Sequence, residues 1–216
     1  MSERNLLPIF LRLERRQCLV VGAGTVALAK IESLRGAGAE ITVVAPQAKA
    51  EVRSLANEGA LVWHERVFEA CDLEGVFLVI AATNAPDINH AVYEEAMRRN
   101  VLCNAVDDPP NCDFYFGSVV TRGDLQVAIS TAGESPALAQ RLRREIDAQL
   151  PADLGPWLSE LGALRREIRA AMPSGAARNL LLHELAARQL CRSADCPARE
   201  FARERVAAAR DAEVSA

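Results

Sequence analysis

Long apolar runs and strong positive charge are both missing from this sequence. No run approaches the roughly 20 apolar residues that a membrane helix needs, so no membrane-spanning helix is expected. The first residues, Met1–Asn5, are polar and the apolar stretch after them is short, which predicts no secretory signal and a cytoplasmic location. The formal net charge is −4 at pH 7, and lysine occurs only at Lys30 and Lys49. Bulk charge therefore gives no basis for binding nucleic acid.

A metal-ligand pattern is absent as well. The six cysteines are scattered, and the close pair Cys191 and Cys196 has no second pair or nearby histidine to complete a zinc site. The histidines, His64, His90 and His183, do not cluster in the sequence either. We therefore assign no metal ligands, and we interpret the cysteines as the reduced thiols of a cytosolic protein.

What the sequence does contain is a glycine-rich turn between an apolar strand and a helix. The run Gln17–Val21 meets Gly22 and Gly24, and a helical pattern follows at once. In a dinucleotide-binding turn, the first glycine permits the sharp turn and the second lets backbone N–H groups approach the phosphates. A small third residue, here Ala27, lets the helix pack on the strand. This context favours a dinucleotide site over a tight glycine turn in some other α/β protein.

The end of the second predicted strand leaves the kind of dinucleotide open. NAD-binding folds commonly have an Asp or Glu there that binds the ribose 2′-OH, and NADP-binding folds have an Arg nearby. This position reads Val44-Ala45-Pro46-Gln47, with neither an acid nor a cluster of arginines. The residues alone therefore do not choose between NAD and NADP.

Strands and helices alternate over the first half of the chain. This order predicts right-handed βαβ units and an α/β fold with a Rossmann-type, doubly wound parallel sheet. Ligands of such sheets bind at the carboxyl ends of the strands, so three loops are expected on one rim: Gly22–Thr25, Thr83–Pro86 and Asn104–Pro110. The predicted strands are 17–21, 40–45, 60–64, 76–82 and 101–106, with helices after Gly24, at 48–59 and at 88–99.

The pattern changes after two adjacent prolines, Pro109 and Pro110. Residues 114–121 and 124–130 alternate between apolar and polar, which predicts a β-hairpin. Ser135-Pro136 then predicts a capped helix start, followed by a helix over 137–150. From residue 154 onward the pattern is wholly helical.

Three regions follow from this order. We expect a Rossmann-type domain at 1–112, a hairpin-plus-helix dimerisation unit at 113–150 and a helical domain at 151–216. A hairpin with one helix buries little apolar surface by itself. It must pack on the first domain, on the helical tail or on a second copy of itself. We favour the second copy, which predicts a homodimer.

Several further short motifs follow one another along the chain between Leu7 and Leu150. They are Leu7-Pro8-Ile9-Phe10-Leu11, the glycine turn with Lys30, Ala81-Ala82-Thr83-Asn84 with Asn89, Asn104-Ala105-Val106-Asp107, and Gly133-Glu134-Ser135-Pro136-Ala137-Leu138-Ala139. Together they resemble the precorrin-2 dehydrogenase family, the NAD-dependent module of siroheme synthases. Family members often have an arginine where Ala29 stands, so this position departs from the pattern.

The resemblance implies a reaction as well as a fold. Family members are homodimers that oxidise precorrin-2 to sirohydrochlorin and pass hydride to NAD, and some also insert Fe²⁺ as a substrate. Asp107 matches the family's catalytic aspartate, and a carboxylate there could accept a proton as a general base. Without the resemblance, Asp107 could equally cap the turn that follows it. A Rossmann module that senses nucleotides without turnover is the alternative function.

The predicted site combines the rim loops with the second half of the chain. Cofactor contacts are expected at Gly22, Ala23, Gly24, Thr25, Val26, Ala45, Pro46, Thr83, Asn84 and Asn104. Substrate carboxylates are expected at Arg141 and Arg144, with Ser130, Thr131 and the helix N-terminus at Ser135 beside them. A solvated helix face is the alternative for either arginine.

Overall fold

The computed structural model describes residues 6–187 and 196–214 of the chain. It divides into two compact units, residues 1–116 with 132–134, and residues 117–131 with 135–216. The strands are β1 Gln17–Val21, β2 Glu40–Val44, β3 Val62–His64, β4 Leu78–Ala81, β5 Leu102–Ala105, β6 Ser118–Arg122 and β7 Leu125–Ile129. The helices are α1 Thr25–Gly36, α2 Ala50–Asn57, α3 Pro86–Arg99, α4 Pro136–Gln149, α5 Leu154–Ala171, α6 Ala176–Ala186 and α7 Pro197–Val214.

The first unit is built on a five-stranded sheet in the order β3-β2-β1-β4-β5. All of its neighbouring strands are parallel. Parallel neighbours require crossover connections, and α1, α2 and α3 supply three of them. The order reverses between β1 and β4, and ligands of open α/β sheets bind at such a point. The predicted doubly wound parallel sheet is confirmed.

Alternation along the buried strands creates an apolar core on each face of this sheet. Cys18 and Val20 of β1 belong to one core, whereas Leu19 and Val21 belong to the other. The first core receives Ala27, Ile31 and Leu34 from α1 and Val52 and Leu55 from α2, and the second receives Val92 and Ala96 from α3. Burying each large aliphatic side chain contributes about 1.5–3 kcal/mol, so these helices hold the sheet from both sides.

The second unit contains the predicted hairpin, β6 paired with β7 in antiparallel register, and the helices that follow it. The first hairpin strand is shorter than predicted because it begins at Ser118 rather than at Phe114. The carbonyl of Phe114 instead accepts a hydrogen bond from the side chain of Asn104, at 2.8 Å. Phe114 and Asn104 both belong to the first unit, so this bond holds the segment before Ser118 within that unit.

Helices α5, α6 and α7 form a third apolar core in the second unit. Its buried residues include Leu164, Ile168, Leu181, Leu185 and Ala202. The helical pattern predicted for this part of the chain is confirmed for the residues described. Among these helices and the others in 6–187 and 196–214, none is long and apolar enough to cross a membrane.

Candidate dinucleotide site

The strand register brings the rim loops of the first unit together. Val21 at the end of β1 lies opposite Val44 of β2 and Ala81 of β4, and Ala81 lies opposite Ala105 of β5. The four strands therefore end in one row. The chain leaves this row through the glycine turn, the Ala45-Pro46 step, the Thr83 loop and the Asp107 loop.

A cavity of about 610 Å³ lies at this edge of the sheet. Seven of the ten predicted cofactor residues line it: Gly22, Ala23, Gly24, Ala45, Pro46, Thr83 and Asn84. Thr25, Val26 and Asn104 are not among its lining residues. Ten further lining residues were not assigned to the site from the sequence, among them Gln47, Lys49, Phe68 and Ile88.

Gly22 is required by the backbone itself. Its φ is +107°, and a Cβ added there would lie only 2.4 Å from the carbonyl oxygen of Ala82. Its N–H donates to the carbonyl of Val44 at 2.9 Å. The turn therefore holds the ends of β1, β2 and β4 closer than any side chain would allow.

Gly24 is different because the surrounding protein does not crowd it. A Cβ added there would have no neighbour within 4 Å. Gly24 is the N-cap of α1, its position supplies no side-chain cap, and the first turn of α1 holds no acidic residue. The helix N-terminus thus has N–H groups and a positive dipole end that no side chain of its own satisfies. An open cradle of this kind fits a phosphate group.

A buried asparagine fixes the rim loop that begins at Thr83. The Oδ1 atom of Asn89, on α3, accepts from the Thr83 N–H at 3.1 Å and from the Thr83 hydroxyl at 2.7 Å. Its Nδ2 donates back to the Thr83 carbonyl at 3.1 Å. Asn89 is only 7% exposed, so these bonds fix the loop from within. Sequence reasoning noted Asn89 in a family pattern and missed this role.

Asn104 binds neighbouring groups of the protein and does not line the cavity. Its side chain is 7% exposed, and its Nδ2 donates to the Phe114 carbonyl at 2.8 Å and to the Cys112 sulfur at 3.4 Å. The Cys112 thiol in turn donates to the Ala105 carbonyl at 3.1 Å. These bonds tie the segment after the Asp107 loop to the end of β5. The cofactor contact of Asn104 stays a prediction.

Asp107 is exposed two residues after the end of β5 and has a φ of +60°. This left-handed conformation is one that Asp and Asn adopt more readily than most residues. Near it, the Nζ atom of Lys30 lies 3.7 Å from the centroid of the Phe116 ring. Burial lowers the pKa of Lys30, and attraction to Asp107 opposes that shift. Lys30 thus lies against an aromatic ring and within electrostatic reach of Asp107.

The predicted substrate residues all belong to the second unit. Thr131 accepts from the Ser135 N–H at 3.2 Å, and Ser135 accepts from the Leu138 N–H at 3.2 Å, so both hydroxyls serve the start of α4. Arg141 pairs with Glu145 at 3.3 Å on the exposed face of α4. Ser130 and Arg144 are exposed. Their contacts with a substrate stay predictions.

Metal ligands do not assemble in the part of the chain that the structure describes. No three His, Cys, Asp or Glu side chains there are grouped so that they could hold an ion. Cys196 is buried, and its sequence neighbour Cys191 lies outside the described residues.

Comparison with known proteins agrees with this geometry. Residues 9–118 match a family model described as "Putative NAD(P)-binding", and residues 122–149 match one described as "Sirohaem biosynthesis protein central". The chain belongs to the family of the first model, which is described as putative NAD(P)-binding. The resemblance seen in the sequence is therefore confirmed, and the first unit is a nicotinamide dinucleotide-binding fold.

Siroheme synthases from several bacteria are similar to this chain. The chain is 48% identical to siroheme synthase 1 of Cronobacter sakazakii over 159 residues. These residues make up 74% of this chain and 34% of that protein. The chain is 42% identical to the siroheme synthase of Methylococcus capsulatus over 174 residues, 81% of this chain and 37% of that protein. The chain thus spans about a third of the length of these curated relatives.

A solved structure with the same fold covers both units. SirC, a precorrin-2 dehydrogenase, aligns with 94% of this chain and 100% of its own, at a TM-score of 0.77 and 27% sequence identity. The likeness extends beyond the dinucleotide fold to the hairpin and the helical region. The predicted fold class is confirmed in all three parts, whereas the domain boundaries at 112 and 150 stay predictions.

Proposed function

We propose that this chain oxidises precorrin-2 to sirohydrochlorin with NAD as the hydride acceptor. The observation that supports this most strongly is the likeness to a precorrin-2 dehydrogenase over 94% of the chain, not over the glycine turn alone. The match of residues 122–149 to a sirohaem biosynthesis model supports the same reaction for the second unit.

The cavity residues suit a dinucleotide. Gly22 and Gly24 leave room beside the α1 N-terminus, whose N–H groups would bind the pyrophosphate. Ala45 and Pro46 would lie against the ribose, and Thr83 and Asn84 would lie against the nicotinamide half. When bound, the nicotinamide supplies a hydride acceptor.

Asp107 is proposed as the general base. The oxidation removes a hydride and a proton from the macrocycle, and the Asp107 carboxylate accepts the proton. The side chain is exposed after β5, so a large macrocycle can reach it.

Binding of the carboxylate-rich substrate is proposed for the second unit. Arg141 and Arg144 would form paired hydrogen bonds to substrate carboxylates, and Ser130, Thr131 and Ser135 would lie beside them. A homodimer, formed through the hairpin and α4, is part of the same proposal.

Insertion of Fe²⁺ is a second candidate activity. The relatives in Cronobacter and Methylococcus are named siroheme synthases, and siroheme contains iron. Iron would be a substrate here, because the described residues hold no cluster for a resident ion. Asp107 would accept the two pyrrole N–H protons one at a time as the metal enters and would pass the first to water before the second leaves.

The test is turnover by purified protein with enzymatically generated precorrin-2 and NAD, without metal. Sirohydrochlorin and NADH are followed by absorbance, and Asp107→Asn is measured in parallel. Asparagine tolerates the left-handed backbone, so this variant removes the base and keeps the loop. We expect turnover by the wild type and a loss of about 100-fold or more in the variant.

Other outcomes would change the proposal. Equal turnover by both proteins would remove Asp107 as the base and keep the enzyme. Absence of turnover in folded protein that binds NAD would favour a nucleotide-sensing module. Addition of Fe²⁺ or Co²⁺ to the sirohydrochlorin formed then tests metal insertion, which is rejected if the spectrum does not change faster than in a protein-free control.

A further inference from the structure

The cavity at the sheet edge contains a single charged side chain. Among its lining residues, all of them in the described range 6–187, only Lys49 carries a charge, and no carboxylate is present. The remaining walls are apolar side chains, glycines and neutral polar groups. An anion inside this cavity would therefore meet one fixed cation in addition to the α1 N-terminus.

Lys49 is held against the glycine turn at two points. Its backbone N–H donates to the Ala23 carbonyl at 3.1 Å, which ties the start of α2 to the turn. Its Nζ donates to the hydroxyl of Thr25 at 3.1 Å. This contact occupies one of the three N–H groups of the ammonium, and the other two can serve a ligand.

The position of Lys49 matters because of what the end of β2 lacks. In dinucleotide folds, the residue after the second strand faces the adenosine ribose, where an acid selects the 2′-OH and excludes a 2′-phosphate. This chain has Ala45, Pro46 and Gln47 there, and all three line the cavity together with Lys49. Glu51 in the first turn of α2 is the nearest acid in sequence, and it does not line the cavity.

We infer that Lys49 binds the 2′-phosphate of an adenosine ribose, so that the cavity accepts NADP as well as NAD. This inference rests on the proposed dinucleotide function of the same cavity. The ammonium and its Thr25 contact hold positive charge beside the ribose edge, and no carboxylate repels the phosphate. Lys49 is thus a specificity-determining residue for the cofactor.

Equilibrium binding of NAD and NADP to the full chain tests this inference. Isothermal titration calorimetry is carried out on the wild type, Lys49→Met, Lys49→Arg and Arg53→Met. Arg53 lies one helical turn beyond Lys49 and does not line the cavity, so its variant removes the same charge from outside the site. Thermal unfolding of each variant verifies that it is folded.

We expect the wild type to bind NADP with a Kd within about tenfold of that for NAD. Lys49→Met should weaken NADP binding by about tenfold or more and NAD binding by less than about threefold. Lys49→Arg and Arg53→Met should keep the wild-type ratio. The affinity for NADP relative to NAD should also fall as salt is raised from low to physiological concentration, because the contact with the 2′-phosphate is electrostatic.

Two results would overturn the inference while leaving the dinucleotide function intact. One is a wild type that binds NAD but binds NADP more than about tenfold more weakly. The other is an equal loss of both ligands in Lys49→Met, which would assign Lys49 to the shared pyrophosphate. Failure of folded wild type to bind either ligand would instead reject the proposed function itself.

Discussion

The two units of this chain differ in how completely they bury their strands. In the first unit, Val20 of β1 and Val79 and Ile80 of β4 have no measurable exposure. In the hairpin of the second unit, only Val120 is buried, and Val119 is 43% exposed. A parallel sheet receives helices on both faces from its own crossovers, whereas a hairpin with one helix has an apolar face left over.

This contrast also separates two kinds of glycine. The first unit uses Gly22 to hold three strand ends together and leaves Gly24 open to solvent. The second unit uses Gly155, at the start of α5, to let the helix approach Gly123 of the hairpin turn. Of these glycines, Gly24 is the one that neither φ nor a close neighbour requires, which supports its assignment to a ligand.

The largest effect is expected for Gly22→Ala. The new Cβ would lie 2.4 Å from a backbone oxygen at a φ of +107°, so the free energy of unfolding should fall by about 3 kcal/mol or more. Urea unfolding measures this loss. Gly24→Ala is the matched control, because it should unfold at the same urea concentration as the wild type. Calorimetry should nevertheless show that this variant binds NAD more weakly than the wild type does. Equal stability of the wild type and both variants would contradict the conclusion that Gly22 has no room for a Cβ.

A smaller loss of stability is expected for Gly155→Ala in the second unit. Its Cβ would lie 2.9 Å from the Gly123 nitrogen, and overpacking of this kind costs about 1–3 kcal/mol. Gly162→Ala, later in α5, meets only the Arg166 side chain at 3.6 Å, so it should stabilise the helix by about 0.5–1 kcal/mol. Urea unfolding distinguishes the two variants, and a stabilised Gly155→Ala would refute the close contact.

The exposed hairpin face is the next test. If a second copy covers it, Val119→Lys should weaken dimerisation by about tenfold or more, because a charge would enter an apolar interface. Light scattering after size-exclusion chromatography over a range of concentrations measures this change. Val62→Lys on β3, where Val62 is 54% exposed, is the control. A wild type that is monomeric throughout would reject the homodimer.

The smallest effects are expected for the arginines of α4. Arg144→Gln and Arg141→Gln should each raise KM for precorrin-2 by about two- to tenfold and leave kcat nearly unchanged, since each removes one carboxylate contact among several. Arg35→Gln, which breaks only an exposed pair with Glu32 on α1, should leave both constants unchanged. Unchanged KM in both α4 variants would make these arginines a solvated helix face.

Much of the first unit could be predicted from the sequence because its signals are local. The apolar runs that became β1 and β4, the glycines between β1 and α1, and the order of strands and helices together predict a parallel sheet with a ligand rim. The predicted start of α4 follows in the same way from Ser135 and Pro136. In each case, neighbouring residues determine the conformation.

What only the tertiary structure decided depends on contacts between distant segments. The hairpin starts at Ser118, where its pairing with Ile129 ends, and the Phe114 carbonyl before it accepts a hydrogen bond from Asn104, ten residues earlier in the chain. Lys49 belongs to the cavity because the parallel register brings the end of β2 beside the glycine turn, where its ammonium reaches Thr25. Periodicity and spacing describe each segment alone, whereas hydrogen bonds and charges across the sheet edge exist only after the strands have paired.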